Sequence, residues 1–104
     1  MEGIILNRFV EEAYKNSKEK GFWDDERNVG EMLMLVVTEL AEALEAYRCK
    51  RMGVEEKDTF EDEIADVFIR LADRCGGMGI EIERQINWKM HYNKGRERLH
   101  GKEF

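Results

Sequence analysis

Four carboxylates define the chemistry open to this chain. Glu39 and Glu42 stand at i and i+3, and the same spacing returns at Glu63 and Asp66. On a helical wheel of about 100° per residue, Glu42 falls about 60° to one side of Glu39. Val36, Leu40, Ala43, Leu44 and Tyr47 form an apolar stripe on the other side. Glu63 and Asp66 take the same offset from Phe60, Ile64, Val67, Phe68 and Leu71, so Glu39-Leu40-Ala41-Glu42 aligns with Glu63-Ile64-Ala65-Asp66 as a pseudo-repeat. Two such pairs beside a core in a helical hairpin repel at neutral pH and destabilise the fold unless a cation sits between them. Oxygen donors without histidine or cysteine select a hard divalent ion, magnesium first and manganese as a substitute. The competing explanation is that the acids are the solvated face of two charged helices; it fits a single pair better than two with matched offsets.

A second set of polar residues lies downstream. Lys89, Asn93 and Arg96, at i, i+4 and i+7, share a face that continues the apolar stripe of Ile82 and Ile86. Two cations and an amide turned toward acids suit a ligand with several negative oxygens, such as a polyphosphate; salt bridges to the acidic helices are the alternative. Trp23, with Phe22, either stacks on a nucleobase or closes over the core. Asp73, two turns beyond Asp66, offers support to a metal or cation, with a solvent-facing role expected, and His91 falls opposite the Ile82 stripe and is expected to be exposed. Other chemistries lack their parts. Glu97 and His100 make one E-x-x-H where a di-iron bundle needs two, Ser17 has no histidine beside it in its helix, and Gly76-Gly77-Met78-Gly79 lacks the lysine and strand of a phosphate loop.

The elements that must position these groups read as helices. Leu6, Phe9, Val10 and Ala13 predict a helix over about residues 4–19, stopping near Gly21. A loop with Asp24, Asp25 and Asn28 as candidate caps leads to a second helix over about residues 29–51. Gly53 breaks the pattern, Asp58 or Thr59 caps a third helix over about residues 60–74, and Cys75-Gly76-Gly77 ends it. A fourth follows over about residues 78–96, then a tail with no strong period. The apolar run at residues 32–37 is too continuous for a helix with one buried side, which predicts either a central core helix or cover from a second subunit.

Composition agrees with this layout. At 104 residues, with no proline, 38% charged and 42% hydrophobic residues, the chain reads as one all-α domain spanning residues 1–104. So small a core makes oligomerisation an expectation. The net charge of −6 argues against nucleic acid as a partner. The charge is uneven, however: from Lys89 to Lys102 the chain carries Lys89, Lys94, Arg96, Arg98 and Lys102 against the single acid Glu97. Cys49 and Cys75 are too few for a disulfide framework and are expected to be reduced packing residues of a cytoplasmic protein. The first ten residues show no export signal, and no window reaches the roughly 18 apolar residues of a membrane span, so a soluble protein with no membrane partner is expected.

These residues resemble the MazG-like, all-α nucleoside triphosphate pyrophosphohydrolases. The motif of that family is E-E-x-x-E followed by E-E-x-x-D, shown here as Thr38-Glu39-Leu40-Ala41-Glu42 and Asp62-Glu63-Ile64-Ala65-Asp66. The similarity extends through Gly21-Phe22-Trp23-Asp24, Lys89, Asn93, Arg96 and His100-Gly101-Lys102. The resemblance implies a four-helix bundle-like fold assembled as a dimer or dimer of dimers, with a neighbouring subunit closing the pocket. It implies magnesium on Glu39, Glu42, Glu63 and Asp66, phosphate contacts from Lys89, Asn93 and Arg96, and base contacts from Trp23 and Phe22. Glu42, with Glu39 beside it, is the expected catalytic carboxylate in a hydrolysis of nucleoside triphosphate to monophosphate and pyrophosphate. Thr38 and Asp62 depart from the motif where the first glutamate of each doublet would stand. Narrow-substrate relatives acting on dUTP, dCTP or phosphoribosyl-ATP, and a non-catalytic helical interaction module with a structural or regulatory ion, are the alternatives.

Overall fold

A chain without proline leaves helix ends to caps and glycines, and those determine the architecture. The computed structural model describes residues 5–26 and 28–96, which form four α-helices and no strand. They are α1 (Asn7–Glu19), α2 (Val29–Arg48), α3 (Phe60–Met78) and α4 (Ile82–Lys94). Of the three candidate caps before α2, Asn28 serves: its side chain accepts from the Glu31 amide at 3.1 Å. Thr59 caps α3 by accepting from the Asp62 amide at 3.2 Å.

The third helix runs through the glycines expected to end it. A Cβ on Gly76 would lie 2.6 Å from Tyr14 Cβ, and one on Gly77 would overlap the Trp23 ring. The glycines therefore serve close packing inside α3, and the stop is Gly79, left-handed at φ 68°. The other ends also fall short of expectation: α2 stops at Arg48, and α4 covers only Ile82–Lys94. The expected tail, with Glu97, His100 and Lys102, lies outside the described residues.

Helix α3 packs against both α1 and α2. Their core is small: Ala13, Ala43, Ala46, Ala72 and Met32 are its buried apolar residues, and no large side chain among the described residues is fully buried. Alanines let helix backbones approach closely but bury little apolar area each. The stripes read from the sequence are thus only half used. Leu40, Leu44, Tyr47, Phe68 and Leu71 remain exposed, and within the apolar run Leu33, Met34 and Val37 are uncovered while Met32 is buried. Cys49 is exposed rather than packed, whereas Cys75 is half-buried and burial raises its thiol pKa against the opposing pull of Arg74.

The loop between α2 and α3 is stitched to the start of α3. The Phe60 amide donates to the Arg51 carbonyl at 2.8 Å, and the Gly53 amide donates to Glu61 Oε1 at 3.0 Å. The Thr59 hydroxyl points at the Gly53 and Glu56 carbonyls at 2.9 and 3.1 Å, and Arg51 Nε donates to the Asp58 carbonyl at 3.2 Å. Lys50, Glu55 and Asp58 all hold left-handed backbone within this stretch, a conformation costing roughly 1 kcal/mol or more each.

Helix α4 differs from the rest. It has no buried residue. Glu83 ties it to α1, accepting from the Leu6 amide and, at 3.1 Å each, from the Asn7 amide and the Asn7 side-chain Nδ2. The carboxylate thereby satisfies donors that the first turn of α1 leaves unpaired. With α4 standing off, the radius of gyration is 16.3 Å, against about 13 Å for a compact domain of this length. None of the described helices is long and apolar enough to cross a membrane.

Candidate metal centre and adjoining cleft

Helices α2 and α3 bring the acidic pairs face to face. Carboxylate oxygens of Glu39, Glu63 and Asp66 lie within 4.8 Å of one another. Glu39 and Glu63 are each 8% exposed, and Asp66 is half-buried. Glu42 stands at the solvent edge, exposed, and its carboxylate acts on that of Glu63. The structure therefore converges three of the four expected carboxylates and sets the fourth beside them.

The electrostatics follow from this crowding. Burial, then the hydrogen bond and charge of Glu42, then Asp66 and Glu39, push the Glu63 carboxyl up to about 7. Asp66 is also raised, by burial first and then by Glu39 and Asp62, with Lys57 and Arg70 pulling the other way. Protein cations thus relieve part of the repulsion but not all of it. The donor set fits a hard divalent ion, being all oxygen and unable to bear its full negative charge unaided.

Two residues outside the acid motifs shape the site. Arg70, one turn beyond Asp66 on α3, donates from Nε to Glu39 Oε1 at 2.8 Å. Lys57 pairs with Asp62 at 3.5 Å, and Asp62 also accepts from the Asp58 amide at 2.9 Å. Asp62 is therefore engaged at the start of α3, where Asp58, Asp62 and Glu63 form a second group of close carboxylates. At the other departure from the motif, the Thr38 hydroxyl donates to the Met34 carbonyl at 3.1 Å. The i+4 spacing of Arg70 from Asp66 was the sequence signal for its role.

A cleft of about 480 Å³ opens from the acids between α1, α2 and α3. Glu39 and Asp66 lie in its wall together with Lys20, Arg70 and Arg74, and Phe22 stands in its lining, 54% exposed. The two aromatics proposed for a base part company here. Trp23 is a packing residue: its ring meets Tyr14 edge-on at 5.4 Å, lies under the Arg74 guanidinium at 4.3 Å and abuts Gly77. Its Nε1 donates to Asp73 Oδ1 at 2.7 Å, so Asp73 anchors the indole instead of facing solvent. Its N–H and part of its ring are thus engaged within the fold.

The cationic trio is not brought to the acids within the protomer. Lys89 and Asn93 are exposed on α4 and Arg96 just beyond its end, with Lys89 Nζ and the Arg96 guanidinium 5.0 and 5.6 Å from the Tyr92 ring. The inward orientation expected for them fails because α4 does not pack into the α2–α3 groove, and α3 has already spent its faces on α1 and α2. His91 is exposed as expected. Comparison of the chain with family models, curated proteins and solved structures finds no match in any of the three, so the MazG likeness rests on the acidic motifs and their neighbours in this sequence.

Proposed function

We propose that this protein is a magnesium-dependent nucleoside triphosphate pyrophosphohydrolase of the MazG type. The observation that carries the reading is the approach of Glu39, Glu63 and Asp66 oxygens to within 4.8 Å at the edge of a nucleotide-sized cleft. These three carboxylates would hold the ion, with Glu42 alongside. When bound there, a divalent cation would supply charge stabilisation to phosphoryl oxygens and lower the pKa of a water. Glu42, exposed beside Glu63, would take the proton of the water as its oxygen bonds to the phosphorus and the bond to the pyrophosphate leaving group breaks. Phe22 stacks on the base from the cleft lining.

The active form in this reading is a homodimer or a homotetramer. The exposed apolar residues of α2 supply the area for contact, and the cations of α4 supply the charge that the acids need. Lys89, Asn93 and Arg96 then reach the phosphates of a substrate held by a neighbouring protomer. Pyrophosphate release from a panel of canonical and modified nucleoside triphosphates, including dUTP, dCTP and phosphoribosyl-ATP, with and without Mg²⁺, tests the activity and sorts the narrow-substrate relatives. A panel silent under all conditions would transfer support to a second reading, a non-catalytic helical interaction module. The Arg70–Glu39 ion pair favours that alternative, because it provides the acids with a cation from inside the fold.

A further inference from the structure

The cation already in the site is part of the chain. Arg70 Nε lies 2.8 Å from Glu39 Oε1, and Glu39 is one of the three converging carboxylates. The partners are unequal: the Arg70 side chain is 45% exposed and the Glu39 side chain 11%. Arginine can leave this contact for water at low cost, whereas the glutamate stays behind as a buried charge needing a replacement. Arg70 also stands in the wall of the cleft, in the company of Lys20 and Arg74. Rotation about its own side-chain bonds would be enough to carry its guanidinium from the acids to the open cleft, with α3 unmoved.

We infer that Arg70 is a displaceable internal cation. It holds Glu39 when no divalent ion does, and once an ion takes that carboxylate it turns into the cleft to bind the anionic oxygens of the ligand. The inference rests on the proposed metal centre but not on catalysis. It makes the two halves of a metal–polyphosphate ligand cooperative, since the ion frees the very group that receives the phosphates. A purely structural arginine gives no such link.

Two binding measurements without turnover read opposite signs. By isothermal titration, Arg70→Gln binds Mn²⁺ alone about tenfold more tightly than wild type, because no ion pair must be broken. With Mg²⁺ saturating, the same variant binds inorganic pyrophosphate about tenfold more weakly. In wild-type protein, the Arg70 Nε–H resonance moves and exchanges faster with water as Mg²⁺ is added, which tests the release even if the variant does not fold. Unchanged or weaker Mn²⁺ affinity in a folded variant, undiminished pyrophosphate affinity, or an Nε–H signal indifferent to Mg²⁺ each overturns the inference. Mn²⁺ competition in a protein that hydrolyses no nucleotide would sink the proposed activity and leave the role of Arg70 standing.

Discussion

The α2–α3 hairpin and helix α4 solve opposite problems in one chain. The hairpin concentrates negative charge where helices touch, burying Glu39 and Glu63 beside alanines. Helix α4 carries positive charge and large apolar groups in the open: Lys89 and Arg96 lie over Tyr92, and Trp88 stacks on Tyr92 at 5.5 Å while 56% exposed. One region has more negative charge than Arg70 and Lys57 offset, and the other has positive charge and apolar surface in the open. Each lacks what the other displays, yet the fold keeps them apart.

The first way to break this comparison is at the acids. Asp66→Asn should remove Mg²⁺-dependent pyrophosphate release by a factor on the order of 10³, with helicity by circular dichroism retained because repulsion is relieved. Retained turnover would take the carboxylates out of the chemistry. The second joins the two regions across subunits. Glu39→Gln and the double variant Lys89→Ala/Arg96→Ala should each be inactive alone, whereas co-refolded mixtures should recover about a quarter of wild-type activity, half the dimers each carrying one intact site. No recovery in mixed oligomers would mean that α4 serves its own protomer or none.

Packing gives a third contrast. Trp23→Ala should cost about 3 kcal/mol or more in chemical denaturation, through the loss of its contacts with Tyr14, Arg74 and Gly77. Trp88→Ala on α4 should change the stability of dilute protomers by about 0.5 kcal/mol or less, while lowering oligomer mass in light scattering. A fourth contrast is one of pH. Glu63 and Asp66 have folded-state values raised above those of the unfolded chain, so the folded state binds their protons more tightly. Their contribution is fully present below the ordinary carboxylate range and is lost as pH rises through about 7, where the Glu63 carboxyl ionises. Metal-free protein should therefore melt several degrees higher near pH 5 than near pH 8, and Mg²⁺ should restore the difference at the higher pH. Melting points that climb through this window would contradict the crowding of the acids.

The acids were legible because helix periodicity acts on neighbours along the chain. A wheel drawn from Glu39 and another from Glu63 predicts the pairs, and the shared stripe offset predicts that they meet. What the wheel lacks is tertiary information. Nothing in Gly76-Gly77 distinguishes a helix end from a slot for Tyr14 and Trp23, because the decision belongs to residues some sixty and fifty positions away. Trp23 reads equally well as lid or core until Asp73 and Arg74 are seen around it. The inward face assigned to Lys89, Asn93 and Arg96 presumed that four helices close into one bundle, and α4 does not join. The spacing of Arg70 from Asp66 marks it as a neighbour of the acids, but its pairing with Glu39 on α2 is again tertiary information.

The stitches between Arg51 and Phe60 and between Gly53 and Glu61 act as a gauge for the whole centre. They clamp the rotational phase of α3 to the end of α2, and one residue of slippage would turn the third helix by about 100° and swing Glu63 and Asp66 out of the triad. Length changes in that connector would therefore dismantle the carboxylate triad, to which none of its own side chains belongs.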